Sequence, residues 1–320
     1  MLRENDYALL DFGGGRKLER FGRVVLDRFS PPAEGISRRE GAEFWAKADA
    51  KFLRQAGLKG EWQIRGMVPE AWQVAFGPFS LELKRTEVGH LGVFPEQAEN
   101  WRWLYEQTQA QRRPLRVLNL FAYTGGSTLA VAAAGQAAAM GLGAATGQAA
   151  ATGQAAAAGQ AAATGLGASV AHVDSAKNVV AWARRNAEIS GLREAPIRWI
   201  AEDALRFVER ECKRGNRYEA VILDPPAYGH GTRGEVWQLE TDLPRLLEGC
   251  AELLQGRPAF VLLTLHSPGY TAEKLAALLR RYFPSVENVQ AVEMELRTAE
   301  GRRLPSGLAA RGSWRVPCGC

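Results

Sequence analysis

From position 116 onward, apolar stretches of about four to seven residues punctuate the chain, and most close on a polar residue. Between them lie segments whose apolar residues recur every three or four positions. Consecutive apolar residues predict strands buried on both faces, and strands alternating with helices predict a doubly wound, mostly parallel α/β sheet. The strands are predicted at 116–121, 169–174, 197–200, 218–223 and 259–265, and two final antiparallel strands at 286–297 and 306–316 make a sheet of seven. Helices are predicted from 128 onward and at 178–186, 204–213, 239–254 and 271–282.

The first 112 residues read differently and predict a smaller N-terminal α+β region, with the larger domain at 113–320. The stretches 7–12 and 16–21 predict a β-hairpin around Gly13-Gly14-Gly15. No helix follows those glycines, so they read as a turn and not as a phosphate loop. Residues 39–55 predict a helix whose apolar face carries Phe44, Trp45, Ala48 and Phe52. Strands are predicted at 62–64, 72–76 and 79–84, and a helix at 101–111 leads into the larger domain. The glycines, proline and polar groups of 89–100 read either as a connector or as a flap over the turn at Gly125.

The pattern fails at 135–167, where Gly-Gln pairs alternate with alanine runs. Glycine every few residues opposes helix and large apolar groups are scarce, so no core can form there. The segment reads as a surface insertion, flexible or partly helical, with no role in chemistry.

Composition adds bounds. The chain has 320 residues, 46% hydrophobic and 23% charged, with a formal charge of +5 and a pI near 9.1. The balance tolerates a polyanionic partner without requiring one. Cys212, Cys250, Cys318 and Cys320 form no CxxC pair, which argues against zinc or a redox motif and suits a reducing cytoplasm. No metal is expected. No apolar run is long enough to span a membrane and the start has no secretory pattern, so a cytoplasmic location without membrane contact is expected.

Candidate chemistry gathers at the strand ends. The run 118–127 reads as strand, glycine turn and helix start, the place where parallel sheets bind ligands. Asp174, Asp203 and Asp224 close the next three strands. An acid after the second strand suits ribose hydroxyls, and one after the third can reach an adenine amino group, although each alone can equally be a helix cap. Gly125 and Asp174 lie 49 positions apart; without the 33 residues of 135–167 the gap is an ordinary 16. The turn lacks the full GxGxxG spacing that a pyrophosphate needs. That favours S-adenosylmethionine over a nicotinamide dinucleotide.

Taken in order, 119–126, His172-Val173-Asp174, Glu202-Asp203-Ala204 and Asp224-Pro225-Pro226 resemble the motifs of class I S-adenosylmethionine-dependent methyltransferases. Phe121-Ala122-Tyr123-Thr124-Gly125-Gly126 and the stretch Asp224-Pro225-Pro226-Ala227-Tyr228 are similar, more narrowly, to the bacterial 23S rRNA methyltransferase family and its uncharacterised relatives. The resemblance covers about residues 80–316 outside the insertion. It implies a Rossmann-like methyltransferase sheet and S-adenosylmethionine as cofactor. It implies further that Asn119 and Phe121 to Gly126 serve the methionine end. Asp174 with Ser175 would serve the ribose, and Asp203 with Ala204 the adenine. Gln97, within the segment 94–100, would close the pocket, and Asp224 would face both cofactor and substrate.

For catalysis the candidates are Asp224, Tyr228 and His266. Methylation of pyrimidine carbon 5 needs a cysteine adding to the ring, which the cytosine-specific relatives carry after the fifth strand. Here that place reads Leu265-His266-Ser267-Pro268, so a nitrogen target suits the chain better. Tyr228 can stack on a flipped base or pack as core. His266 can take a proton or merely end a strand. Arg297, Arg302, Arg303, Arg311 and Arg315 can meet RNA phosphates or form a solvated face. The leading expectation is a methyltransferase acting on a nucleobase nitrogen in RNA of ribosomal type. The alternatives are a small-molecule or protein methyltransferase and a non-catalytic RNA-binding assembly factor, with a dehydrogenase more distant.

Overall fold

In the computed structural model, which describes residues 6–55, 59–111, 113–145, 167–231 and 234–315, the N-terminal hairpin forms as its glycine turn dictates. Strand β1 (Tyr7–Gly13) pairs antiparallel with β2 (Arg16–Phe21). Strands β3 (Val24–Phe29), β4 (Ala50–Arg54) and β5 (Gly60–Ile64) extend this to a five-stranded sheet in the order β1-β2-β3-β4-β5, in which β3 and β4 run parallel. Strands β6 (Ala71–Phe76) and β7 (Phe79–Lys84) form a separate antiparallel pair.

The helix expected at 39–55 is not there. Helix α1 covers only Ala42–Trp45, and Ala50–Arg54 form β4. Asp49 is the reason: its N–H donates to the Val25 carbonyl at 2.8 Å and its Oδ2 accepts from the Val25 N–H at 2.7 Å. That tie lines the following residues up beside β3. Ala50 and Phe52 then point inward on the two-residue period of a strand.

This first unit comprises 1–98 together with 294–306. Leu9, Phe12 and Ala33 pack with Leu296 and Leu304. Its interior also holds charge. Glu19 is fully buried and accepts from Arg28 Nε at 2.8 Å and from the Tyr7 hydroxyl at 3.0 Å. Asp11, 1% exposed, accepts from Trp45 Nε1 at 2.9 Å, from the Glu40 N–H at 3.0 Å and from Arg302, whose guanidinium lies 4.2 Å over the Phe12 ring. Buried carboxylates persist only when paired in this way.

The second unit comprises 99–293 and 307–320. Helix α2 (Ala98–Ala110) leads into β8 (Leu115–Leu120), α3 (Gly126–Ala145), β9 (Ala168–Asp174), α4 (Lys177–Ile189), β10 (Ile197–Ala201) and α5 (Ala204–Lys213). After β11 (Ala220–Leu223), two short strands, β12 (Tyr228–His230) and β13 (Val236–Gln238), pair antiparallel. Then follow α6 (Leu239–Leu253), β14 (Phe260–Leu265), α7 (Ala272–Tyr282), β15 (Asn288–Arg297) and β16 (Arg303–Ser313).

The seven-stranded sheet has the order β10-β9-β8-β11-β14-β16-β15. The first five strands of that order run parallel, and β16 runs antiparallel to β14. This is the doubly wound, mostly parallel Rossmann-like sheet expected. Every residue of β11 and β14 is buried, which is why their sequences are continuously apolar. From β8 the chain winds outward one way through β9 and β10, then the other way through β11 and β14. The switch point therefore lies between β8 and β11.

The alanine-rich insertion is more ordered at its start than its composition suggests. Helix α3 runs on to Ala145, with Ala134 and Ala139 buried. A Cβ at Gly135 would come within 2.6 Å of the Ala168 nitrogen, so only glycine lets the helix pack on the start of β9. Residues 146–166 lie outside the described residues.

The five C-terminal arginines do not form one unpaired phosphate-binding face. Arg297 and Arg303 meet Glu295, Arg315 meets Glu287, and Arg302 meets Asp11. Arg311 donates to Asn100 Oδ1 from Nε at 2.9 Å and from Nη2 at 2.6 Å.

Candidate active site at the switch point

Strand register alone assembles the site. Leu120 pairs with Val173 and with Leu223, and Leu223 pairs with Leu263. One residue further along these parallel strands stand Phe121, Asp174, Asp224 and Thr264. Ala201 pairs with Asp174, which brings the end of β10, with Asp203 just beyond, to the same edge.

The turn after β8 is strained and firmly held. Phe121 (φ 55°) and Tyr123 (φ 49°) are the non-glycine residues with positive φ among those described, and Gly125 follows at φ 96°. Such conformations cost about 1–3 kcal/mol each and concentrate at functional sites. The Ala122 N–H donates to the Val173 carbonyl at 3.1 Å, and the Tyr123 N–H to Asp174 Oδ2 at 2.9 Å. Asn186 Nδ2 donates to the Thr124 carbonyl at 2.8 Å. A Cβ at Gly126 would lie 2.5 Å from the Trp101 indole, so α2 packs directly on the first residue of α3.

Asp174 also accepts from the Ala176 N–H through Oδ1 at 3.0 Å, so both oxygens are oriented by backbone. Burial raises its carboxyl pKa, against the pull of these two donors. Ser175 is the next residue, half-buried. Asp203 caps α5 by accepting from the Arg206 N–H at 3.0 Å, and Ala204 is buried in the first turn. Burial, together with Glu235 nearby, raises the Asp203 carboxyl. Asp224 Oδ1 accepts from Thr264 Oγ1 at 2.5 Å and lies 3.5 Å from His266 Nε2. Two of the three catalytic candidates, Asp224 and His266, are therefore side by side.

Tyr228 does not pack as core: it is 55% exposed and meets the His230 ring edge-on at 5.0 Å. Gln97 ends a 3-10 turn, Pro95–Gln97, in the first unit and is buried. The Asn119 side chain is buried as well and donates to Thr128 Oγ1 at 2.8 Å.

Two residues of the site escape a reading of the sequence. Thr264 is a single polar position inside the buried run of β14, and that was its only signal. Trp237, 4% exposed, packs its ring on Phe121 at 4.9 Å and donates Nε1 to the Pro226 carbonyl at 2.7 Å. One indole thus braces both the glycine turn and the double-proline stretch, and nothing in its sequence context marks it.

Among the described residues no group of three His, Cys, Asp or Glu could hold a metal ion. No helix among them is long and apolar enough to cross a membrane.

Comparison with known proteins places this geometry. No protein-family model matches the chain. It is similar to ribosomal RNA large subunit methyltransferase K of Neisseria meningitidis, 24% identical over 140 residues, which is 43% of this chain and 31% of that protein. It is also similar to ribosomal RNA large subunit methyltransferase K/L of Hahella chejuensis, 28% identical over 204 residues, which is 63% of this chain and 22% of that protein. The chain thus spans less than a third of the length of these curated relatives. Among solved structures, a SAM-dependent methyltransferase from Agrobacterium tumefaciens superposes with a TM-score of 0.81 at 33% identity, over 96% of this chain and 90% of that one. SMU.776, complexed with SAH, superposes with a TM-score of 0.65 at 14% identity, over 96% and 75% of the two chains, a likeness of fold alone.

Proposed function

Because the chain belongs to the S-adenosylmethionine-dependent methyltransferases, we propose that it methylates a nucleobase nitrogen in RNA of the ribosomal kind. S-adenosylmethionine is its cofactor, and the donor set fits that molecule. Asp174, Asp203 and Asp224 offer acceptors to a nucleoside and a negative field to a sulfonium, while the turn lacks the glycine spacing of a pyrophosphate cradle. When bound, the cofactor supplies an electrophilic methyl group. The strained 121–126 turn holds its methionine end, Asp174 its ribose and Asp203 its adenine.

Support for a nitrogen acceptor comes chiefly from the contact of Asp224 with Thr264 and His266 at the end of β11. Asp224 accepts a hydrogen bond from the N–H of the base and so aligns the nitrogen lone pair. The proton released on methylation passes to the Asp224–His266 pair. Tyr228, exposed four residues on, gives the base a stacking face, worth about 1–3 kcal/mol. No thiol suits carbon-5 chemistry among the described residues. Burial pushes the Cys212 thiol up to about 11 and the fully buried Cys250 thiol higher still, so neither is a thiolate near neutral pH. The names of the curated relatives support an RNA substrate.

One observation favours a second reading. The C-terminal arginines are engaged within the protein, which leaves room for a small-molecule or protein acceptor at the same site.

Incubation with labelled S-adenosylmethionine and total RNA tests the proposal. Label should enter RNA with wild type, survive in Tyr228→Phe, and fall at least tenfold in Tyr228→Ala and Asp224→Asn. Cofactor binding with no label in any RNA fraction would move the search to the second reading.

A further inference from the structure

Beneath the glycine turn, three buried polar side chains join β8 to β9. Asn119 and His172 are register partners on these adjacent parallel strands, so their side chains leave the same face of the sheet. Thr128, in the first turns of α3, sits between them. Asn119 Nδ2 donates to Thr128 Oγ1 at 2.8 Å, and Thr128 Oγ1 lies 2.9 Å from His172 Nδ1. Exposure is 2% for Asn119 and 0% for Thr128 and His172. Trp199 packs against the imidazole with ring centroids 4.8 Å apart, and a Cβ at Gly125 would lie 3.7 Å from its Cε1. The ring is thus locked directly under the turn.

A hydroxyl has one hydrogen to give. Thr128 accepts from the Asn119 amide, and its own hydrogen can then go to His172 Nδ1. The imidazole proton is left on Nε2. That nitrogen is buried with no partner at hydrogen-bond distance, and beyond Thr128 the polar group that acts on the ring is the backbone of Tyr123. Tyr123 is one of the two strained non-glycine residues of the turn, and its N–H is already held by Asp174. A buried polar group short of a partner is costly, whereas an apolar side chain would fill the same space without that cost.

We propose that His172 is a positioning residue for cofactor binding, its ring braced beneath Gly125 with Nε2–H facing the backbone of Tyr123 while Asp174 holds the Tyr123 N–H. The polar chain then runs from Asn119 through Thr128 and His172 to the turn. Burial brings the His172 pKa down to about 3, so the ring stays neutral and keeps the single-donor form this role needs. The inference rests on the reading that the 121–126 turn carries the cofactor.

Two measurements on the full chain test it. Nitrogen NMR of labelled histidine in wild type should show His172 as the neutral Nε2–H tautomer, with a further shift when S-adenosylhomocysteine is added. Calorimetry should show S-adenosylhomocysteine bound at least tenfold more weakly by His172→Leu and within threefold of wild type by His172→Gln, which keeps an N–H donor. An Nδ1–H tautomer would overturn the proposal, as would a folded His172→Leu that binds like wild type. Should His172→Leu fail to fold, the tautomer of wild type decides the question. Asp174→Ala separates the two levels. If it also binds normally, the turn is not the cofactor site; if it alone loses binding, only the role of His172 falls.

Discussion

The backbone N–H of Tyr123 donates to Asp174 Oδ2 at 2.9 Å, tying the turn after one strand to the acid that ends the next. A carboxylate used in this way cannot be replaced without loosening the turn itself. Asp174→Ala should weaken S-adenosylmethionine binding by about 10- to 100-fold, from about 1.5–3 kcal/mol per hydrogen bond to a charged group. Asp174→Asn should lose less, because its carbonyl oxygen can still accept from Tyr123. Titration calorimetry with both variants measures this.

Thr264 and Asp224 separate chemistry from binding. Asp224→Asn should weaken cofactor binding by less than about tenfold and lower kcat by about 100-fold or more, the usual scale of a positioned acid–base group. Thr264→Val, which removes the hydroxyl donor to Asp224 Oδ1, should lower kcat by about tenfold, from about 1–1.5 kcal/mol of lost hydrogen bonding. Single-turnover methylation at saturating cofactor distinguishes these effects from changes in affinity.

Packing of Gly126 against Trp101 leaves no room for a methyl group. Gly126→Ala should destabilise the protein by about 1–3 kcal/mol through overpacking. The double variant Gly126→Ala with Trp101→Leu should be more stable than the sum of the two single changes. Urea unfolding of the four proteins gives the coupling energy.

Arg302 supplies the guanidinium of a buried pair. Arg302→Ala should cost about 3 kcal/mol by leaving the Asp11 carboxylate without its cation, whereas Arg303→Ala, at an exposed residue, should cost less than about 0.5 kcal/mol. Thermal melts compare the two.

His172 predicts a pH signature. Its pKa is near 3 in the folded chain, brought down by burial, against about 6.5 when unfolded. Between those values the unfolded state binds a proton that the native state does not. Stability from this group is therefore complete above about pH 6.5 and falls by about 1.4 kcal/mol per pH unit as the solution is acidified towards pH 3. The difference between wild type and His172→Gln, followed by unfolding at pH 4.5 and 7, should show that slope. Parallel curves would contradict a neutral buried imidazole.

Strands buried on both faces wrote themselves into the sequence, and so β8, β9, β11 and β14 were legible, with the acids Asp174 and Asp224 that close two of them. The first unit was harder. In β3, Asp27 and Arg28 are buried as ion pairs with Arg16 and Glu19, so a core strand carries the letters of a surface loop. In the stretch 44–52, apolar spacings fit a helix, and only the tertiary tie from Asp49 to Val25 selects a strand. Trp237 acts through contacts with residues far from it in sequence, which no local pattern records. The engagement of Arg302 with Asp11, 291 positions apart, is equally silent, and it turns an apparent basic tail into part of an interior.

Residues 294–306 complete the first unit although residues 99–293 of the second are made in between. Leu296 and Leu304 enter the same cluster as Leu9 and Phe12. On the ribosome β1 must therefore wait for Leu296 and Leu304 until residues 294–306 have been translated. Neither unit can be excised as one continuous fragment, and a C-terminal truncation at about residue 293 would damage both ends of the protein at once.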